Sequence, residues 1–219
     1  PRGKVLGGCS SINGMIYMRG QAQDYDGWRD LGNPGWGWSD VLPLFRKSER
    51  HFGAADGSHG TEGELRVEEQ RLHWPILDEV ARAAEQIGIP RTADFNDGDN
   101  EGVGYFPVNQ RRGIRWNARK AFLDPARRRP NLTILTGAQV MRLSMEGRRV
   151  TGVVFRHKGA LRRADAGQEV VLSAGAIGSP QVLELSGIGR PEVLARLGLP
   201  VVHALPGVGE NLQDHLQLR

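Results

Sequence analysis

Hydrophobic and polar positions follow two different rhythms along the chain, and the change falls near residue 130. Before it, the spacing is helical or has no period. A short helical pattern covers Asp24–Leu31, and the turn Asn33-Pro34-Gly35 leads to a second helix opening at Ser39, whose hydroxyl suits an N-cap. Residues 52–64 are rich in Gly, His and Ser and read as an exposed loop. An amphipathic helix follows, with Pro75 in its first turn, Asp78 and Glu79 at its positive end and Gly88 past its last turn. Ile76, Leu77, Val80, Ala81, Ala84 and Ile87 form its apolar stripe. Residues 94–116 suggest irregular loops or short strands, and a brief helix is expected near Asn117–Ala126.

Beyond residue 130 the pattern turns β-rich. Asn131–Leu135, Gln139–Met145 and Val150–Arg156 predict strands, the last two joined as a hairpin through Gly147. Glu169–Ser173 reads as a short apolar strand ending in Ala174-Gly175. Ser179-Pro180 then supplies an N-cap and a first helical residue for a helix to about Ser186. Pro191–Leu197 repeats that logic with Gly198 as its stop, and Val201–Ala204 predicts another strand. The class is mixed α/β, with strand–turn–helix units in the last third and no internal repeat.

Composition narrows the picture. With 219 residues, 39% hydrophobic and 25% charged, the chain is ordinary globular material. Its 30 glycines are about twice the usual share and favour tight turns or close backbone approach to a ligand. No apolar run approaches the roughly 18 residues of a membrane span. A single cysteine, Cys9, excludes an intramolecular disulfide and fits a reducing compartment. The net charge of +4 comes from 25 arginines and four lysines against 25 acidic residues. Arginine clusters such as Arg127-Arg128-Arg129 lie among the acidic residues and read as solvated. A nucleic-acid module, with basic side chains on one face and stacking aromatics between them, is therefore only a distant alternative. The chain opens on Pro1-Arg2-Gly3-Lys4 without a methionine and reads as an interior piece of a longer protein.

Three segments carry candidate chemistry. Gly3-Lys4-Val5-Leu6-Gly7-Gly8-Cys9-Ser10-Ser11-Ile12-Asn13-Gly14-Met15-Ile16 combines paired glycines, which expose backbone N–H donors, with small residues that keep a loop thin. Asn13 offers both a donor and an acceptor. Gly175-Ala176-Ile177-Gly178-Ser179-Pro180 and the helix after it present a helix N-terminus to a polar or anionic group. Pro206-Gly207-Val208-Gly209-Glu210-Asn211-Leu212 has Leu212 where a dinucleotide fingerprint needs its third glycine. His51, His59, His73, His157 and His203 lack metal-ligand spacing, so no metal is expected. No nucleophile elbow occurs. Trp28, Trp36, Trp38, Trp74 and Trp116 read as packing residues, and Cys9 as a small loop residue.

In order, the first two segments resemble the two signatures of the glucose–methanol–choline (GMC) flavoprotein oxidoreductases. Asp24-Tyr25-Asp26-Gly27-Trp28, His59-Gly60-Thr61, Gly102-Val103-Gly104-Tyr105 and the closing Gly209-Glu210-Asn211-Leu212-Gln213-Asp214-His215 add to the likeness. It covers nearly the whole chain and looks closest to the choline-dehydrogenase-like branch. The resemblance implies the FAD-binding GMC fold: FAD-binding segments at 1–50 and 130–219, with 51–129 a partial substrate-side region. It implies a cofactor loop of Gly8, Cys9, Asn13, Gly14, Met15 and Ile16, an adenine contact at Val140, and FAD-facing Ala174 and Gly175. Ile12 stands where some members carry a flavin-linking histidine, so the FAD is expected to be non-covalent.

The implied activity is oxidation of a primary alcohol, choline-like or other, to an aldehyde. Electrons pass to a quinone, another carrier or oxygen, and a FAD-containing hydroxynitrile lyase is the alternative. The catalytic histidine and its partner are expected beyond Arg219, and His215 is not that residue by motif position. The G-x-G-x-x-G strand is expected before Pro1, which would leave this piece inactive and poorly able to fold alone. The implied location is cytoplasmic or peripheral at a bacterial inner membrane.

Overall fold

The computed structural model describes residues 2–53 and 55–214. They form two compact units, dividing between Leu132 and Thr133.

The first unit is a set of helices and loops. Helix α1 covers Ala22–Asp30 and α2 covers Trp38–Ser48. Helix α2 starts one residue before the expected Ser39. Its N-cap is Gly37, whose N–H donates to Asp40 Oδ2 at 3.0 Å, so a carboxylate three residues on replaces the serine hydroxyl. Two-residue strands β1 (Glu49–Arg50) and β2 (Leu65–Arg66) pair in parallel, and β3 (Gln110–Arg111) and β4 (Ile114–Arg115) form a hairpin. Isolated bridges at Ile16–Val108, Glu68–Val108 and Arg91–Val103 are the remaining strand-like pairings described there. A π-helical turn at Arg119–Leu123 runs into α4 (Asp124–Ala126), where the brief helix was expected.

Helix α3 (Pro75–Gln86) forms where the pattern places it, with Pro75 at its start and Gly88 beyond its end at φ 90°. An amphipathic helix ordinarily turns its stripe inward, but here Ala81 is buried at 4% while Ile76 and Ile87 are 61% and 78% exposed. The helix rests on the edge of its stripe marked by Ala81 and by Asp78, which accepts from Tyr105 Oη at 3.0 Å. The loop at 52–64 also departs from expectation, because His59 and Gly63 within it are buried.

The second unit is built on a sheet. Strands β5 (Ala138–Glu146), β6 (Arg149–His157) and β7 (Ala160–Asp165) form an antiparallel meander in the order β5-β6-β7. The β5–β6 hairpin turns at Gly147 as expected. Strand β7 is invisible in the pattern because all six of its residues are exposed. It exists because Lys158 and Gly159, at φ 50° and 80°, make a two-residue turn of the left-handed kind that suits a hairpin. Helix α5 (Gly175–Leu185) packs on β5, and Leu143, Val182 and Ile188 form the centre of this core. Strand β8 (Ile188–Gly189), helix α6 (Pro191–Arg196) and strand β9 (His203–Ala204) follow, with β8 and β9 paired in parallel.

Three strand expectations need correction. Asn131–Leu135 is not a strand: the Leu132 N–H closes a turn on Arg129 O at 3.1 Å. Glu169–Ser173 alternates as a strand should, with Val170 and Leu172 against the core and Val171 exposed. No described neighbour supplies the ladder that would make it one. Val201–Ala204 shrinks to β9. Helix α5 also begins four residues before Ser179. Ser179 lies inside it, and its Oγ accepts from the Ala174 N–H at 3.1 Å, so the hydroxyl satisfies the residue ahead of the helix.

Candidate functional site: a glycine loop, a helix start and a buried ion cluster

The first signature forms an open loop with a 3-10 turn at Gly8–Ser11. Gly7 and Gly8 have φ 95° and 55°, a region that side chains with a Cβ rarely enter, which is why the pair must be glycine. A Cβ on Gly8 or Gly14 would meet nothing within 4 Å, so the backbone there stands open. Met15 enters the same region at φ 66°, and its N–H donates to Asn13 Oδ1 at 3.0 Å. Val5, Ile12, Ile16 and Met18, on the same stretch of chain, leave about half their surface uncovered. Cys9 is exposed, and its Sγ accepts from the Gly3 N–H at 3.5 Å.

The loop is held from behind by residues the sequence reading did not single out. Arg115 donates from Nη1 to Ser10 O at 3.1 Å and to Asn13 Oδ1 at 2.8 Å, and from Nη2 to Asn13 O at 2.7 Å. Asn117 Nδ2 donates to Ser11 Oγ at 2.7 Å, and the Ala118 N–H donates to Ser10 Oγ at 3.0 Å. Asn13 thus spends its oxygen inside the protein, leaving its amide N–H₂ to donate outward. The signal for these props was the short spacing of Arg115, Trp116 and Asn117 before the π-turn. Nothing in a single sequence ties them to a loop a hundred residues away.

In the second unit, Gly175 opens α5 at φ 84°, with nothing within 4 Å of its Cβ position. Ala174 and Gly175 are both exposed, so the first turn of the helix presents free amide donors. Val140 lies in β5 beside a register shift between Val140 and Arg142, and its side chain packs on the Leu143 core. Gly8, Cys9, Asn13, Gly14, Met15 and Ile16 are brought together in one loop of the first unit. Val140, Ala174 and Gly175 belong to the second.

A buried cluster of charges is the feature that sequence reading missed. His59 Nδ1 lies 2.6 Å from Glu49 Oε1, and its Nε2 lies 2.7 Å from Asp94 Oδ2. Only an imidazolium donates from both nitrogens. Burial works against that charge, but hydrogen bonds to Asp94 and Glu49 outweigh it and raise the His59 pKa to about 9. Glu49 also pairs with the buried guanidinium of Arg19 and accepts from Tyr17 Oη at 2.8 Å. Burial alone would raise the Glu49 carboxyl. The bonds from His59 and Tyr17 and the Arg19 charge hold it below the usual range instead. Burial pushes the Tyr17 phenol well above its usual range. Arg19 reaches on to Ser58 O at 2.8 Å, and its N–H donates to Asn96 Oδ1 at 2.7 Å. His51 stacks on His59 with ring centres 3.8 Å apart, and burial followed by the His59 charge lowers its pKa.

Glu49, His51 and His59 bring metal-capable atoms within 4.8 Å of one another. Two ligands of a tetrahedral zinc ion at ~2.0–2.1 Å sit roughly 3.3 Å apart. The 2.6 Å between His59 Nδ1 and Glu49 Oε1 is too short for that and suits a shared proton. Beside the cluster, His51, His59 and Asp94 border a cavity of about 450 Å3 in the same unit.

The profile of the GMC oxidoreductase family matches residues 1–217. The chain belongs to the GMC oxidoreductase family. Among curated relatives, mitochondrial choline dehydrogenase of Homo sapiens is 45% identical over 218 residues, covering all of this chain and 37% of that protein. Oxygen-dependent choline dehydrogenase of Sinorhizobium fredii is 42% identical over 217 residues, covering 99% of this chain and 39% of the relative. Among solved structures, an FAD-dependent oxidoreductase from Chaetomium thermophilum superposes with TM-score 0.91 at 35% identity. The match covers 97% of this chain and 39% of that one. Pyridoxine 4-oxidase from Mesorbium loti gives TM-score 0.87 at 37% identity, covering 94% and 41%. This GMC chain therefore spans about two fifths of the length of these relatives. The fold is the mixed α/β, FAD-binding fold of the GMC family, as the two signatures implied. No described helix is long and apolar enough to cross a membrane.

Proposed function

We propose that this GMC chain forms part of an FAD-dependent oxidoreductase that oxidises a primary alcohol to an aldehyde, with a choline-like alcohol as the first candidate substrate. The observation carrying this reading is the open loop at Gly7–Ile16, in a family member 40–45% identical to several choline dehydrogenases. The residues present fit a flavin. Amides exposed at Gly8 and Gly14 suit phosphate and ribityl oxygens, and the uncovered Val5, Ile12, Ile16 and Met18 suit a flat ring system. On this reading Gly8, Cys9, Asn13, Gly14, Met15 and Ile16 hold the flavin side of FAD. Val140 meets the adenine, and Ala174 and Gly175 direct the α5 N-terminus at the cofactor.

When bound, FAD supplies the hydride acceptor at flavin N5. The chain's own residues bind and orient. Arg115 fixes the carbonyl and side-chain oxygen of Asn13, so that its outward amide is preorganised rather than ordered on binding. Ile12 offers no nucleophile to the ring, which keeps the attachment non-covalent. The proton acceptor for the alcohol hydroxyl belongs to the part of the protein beyond Arg219, and His215 lies outside the described residues. The electron acceptor is a quinone, another carrier or oxygen, and the setting is cytoplasmic or peripheral at an inner membrane. The test is anaerobic addition of a panel of alcohols to the intact protein while its flavin absorbance is followed. Bleaching by a choline-like or other primary alcohol is the expected result. A bound flavin that no alcohol bleaches would favour a lyase.

A further inference from the structure

The segment leaving the glycine loop alternates between two faces. Ile16 and Met18 are 50% and 44% exposed, whereas Tyr17 is half-buried and Arg19 is 4% exposed. The outer pair belongs to the surface that the flavin reading assigns to the ring. The inner pair plugs into the buried ion cluster. Both pairs share one short stretch of backbone, so what holds the inner face also sets the outer one.

His59 grips this segment by two routes. Through Glu49, in β1, it reaches side chains: Tyr17 Oη donates to Glu49 Oε2 at 2.8 Å, and the Arg19 guanidinium pairs with the same oxygen. Through Asp94 it reaches backbone. Asp94 Oδ1 accepts from the Asn96 N–H at 2.8 Å, and Asn96 Oδ1 accepts from the Arg19 N–H at 2.7 Å. Asn96 Nδ2 also donates to Tyr17 O at 3.3 Å.

With His59 and Arg19 as cations against Glu49 and Asp94, the quartet is neutral. On the alkaline side His59 is the member that titrates, at about pH 9, because Arg19 keeps its charge. Losing the proton leaves one N–H and one lone pair between carboxylates at 2.6 and 2.7 Å. One carboxylate then faces a lone pair, and the buried quartet carries a net negative charge. Whichever carboxylate withdraws, it pulls on the same segment. The other groups near the ring do not replace either bond. His51 stacks on it as a neutral ring whose Nδ1 accepts from the Gly53 N–H, and Asp56 caps the His59 amide. Arg46 and Lys47 of α2, with Glu62, line a shallow groove on another side.

We propose that His59 is a positioning residue for the flavin: bridging Glu49 and Asp94 as a cation, it keeps Ile16 and Met18 in the arrangement that receives the ring, and loss of its proton loosens the cofactor. The proposal rests on the reading that the glycine loop binds FAD, and adds a control of that binding by pH.

The test is a titration of the intact, FAD-loaded protein from about pH 7 to about pH 10.5. FAD affinity is read from the fluorescence of released flavin, and folding from far-UV circular dichroism. The dissociation constant should stay level to about pH 9 and then rise by up to about tenfold per pH unit, the slope of one linked proton, while the circular dichroism holds. Asp94→Asn, at a side chain 31% exposed, removes one of the two carboxylates that favour the proton. The rise should then begin at lower pH, toward the ordinary imidazole range near ~6.5. His59→Gln should weaken FAD binding at pH 7 and erase the rise. A residue that only supported the fold would lower affinity at every pH and leave the onset unmoved. Ionisation of the flavin itself is common to all three proteins and cancels in the comparison. A level affinity, an onset shared by all three proteins, or a rise that only tracks loss of circular dichroism would each overturn the proposal. Folded protein without FAD at pH 7 would remove the flavin reading and this inference together, whereas bound FAD with a level affinity removes this inference alone.

Discussion

The two units solve the same problem, holding a segment of open, glycine-bearing backbone still, by opposite means. In the second unit, a three-stranded ladder and the apolar cluster of Leu143, Val182 and Ile188 fix the start of α5. In the first, strands are two residues long and the centre is polar: Arg19, Glu49, His59 and Asn96 are all buried beside scattered apolar residues such as Val67 and Phe95. A loop-rich region has many backbone groups that no ladder satisfies, and buried side chains take their place. Arg19 alone joins segments that begin 30, 39 and 77 residues away. The apolar unit is held by area and the polar one by charge, so the two should respond differently to substitution and to pH.

The sharpest way to break this contrast is Glu49→Ala. It leaves the Arg19 and His59 cations buried without their shared partner, and a loss of about 3–5 kcal/mol in denaturant unfolding is expected. A loss below ~1 kcal/mol would mean the cluster is ornamental. Leu143→Ala should cost about 3 kcal/mol through the cavity it leaves, with no pH dependence between 6 and 9.

The pH response separates the units further. The His59 pKa is raised from its ordinary ~6.5 to about 9 in the folded state. Its contribution is therefore fully present below about pH 6.5 and is lost as pH rises through about 9. In the intact protein this should amount to about 3 kcal/mol across that window, and His59→Gln should flatten the curve. Glu49 and Asp94 are shifted downward, so their contribution is present above the usual carboxylate range and fades only in acid. The smallest effect is expected at Gly175→Ala: about 1 kcal/mol of stability from φ 84°, with a larger fall in flavin retention because the helix start moves.

Much of the second unit was legible beforehand. The β5–β6 hairpin, α6 and the Gly198 stop follow from period-two alternation, proline and glycine placement. The pattern failed where pairing rather than side-chain character decides, as at fully exposed β7 and at unladdered Glu169–Ser173. In the first unit, Pro75 and Gly88 located α3, but its stripe pointed to a burial that only Ala81 meets. The glycine loop was readable because φ above zero demands glycine. Met15 and the Arg115 prop were not, because their conformation depends on distant partners. His59 looked like one histidine in a Gly/Ser loop. Its role is set by Glu49 and Asp94, ten residues before it and thirty-five after, and no local spacing marks that meeting.

The central proposal is that the open loop at Gly7–Ile16 holds FAD. The most direct measurement is the ratio of FAD to polypeptide in the purified intact protein, released by denaturation and quantified. The account predicts stoichiometric FAD, released without covalent attachment and sharply reduced by Gly8→Val. A well-folded intact protein that carries no flavin, or whose flavin is undisturbed by that change, would contradict it.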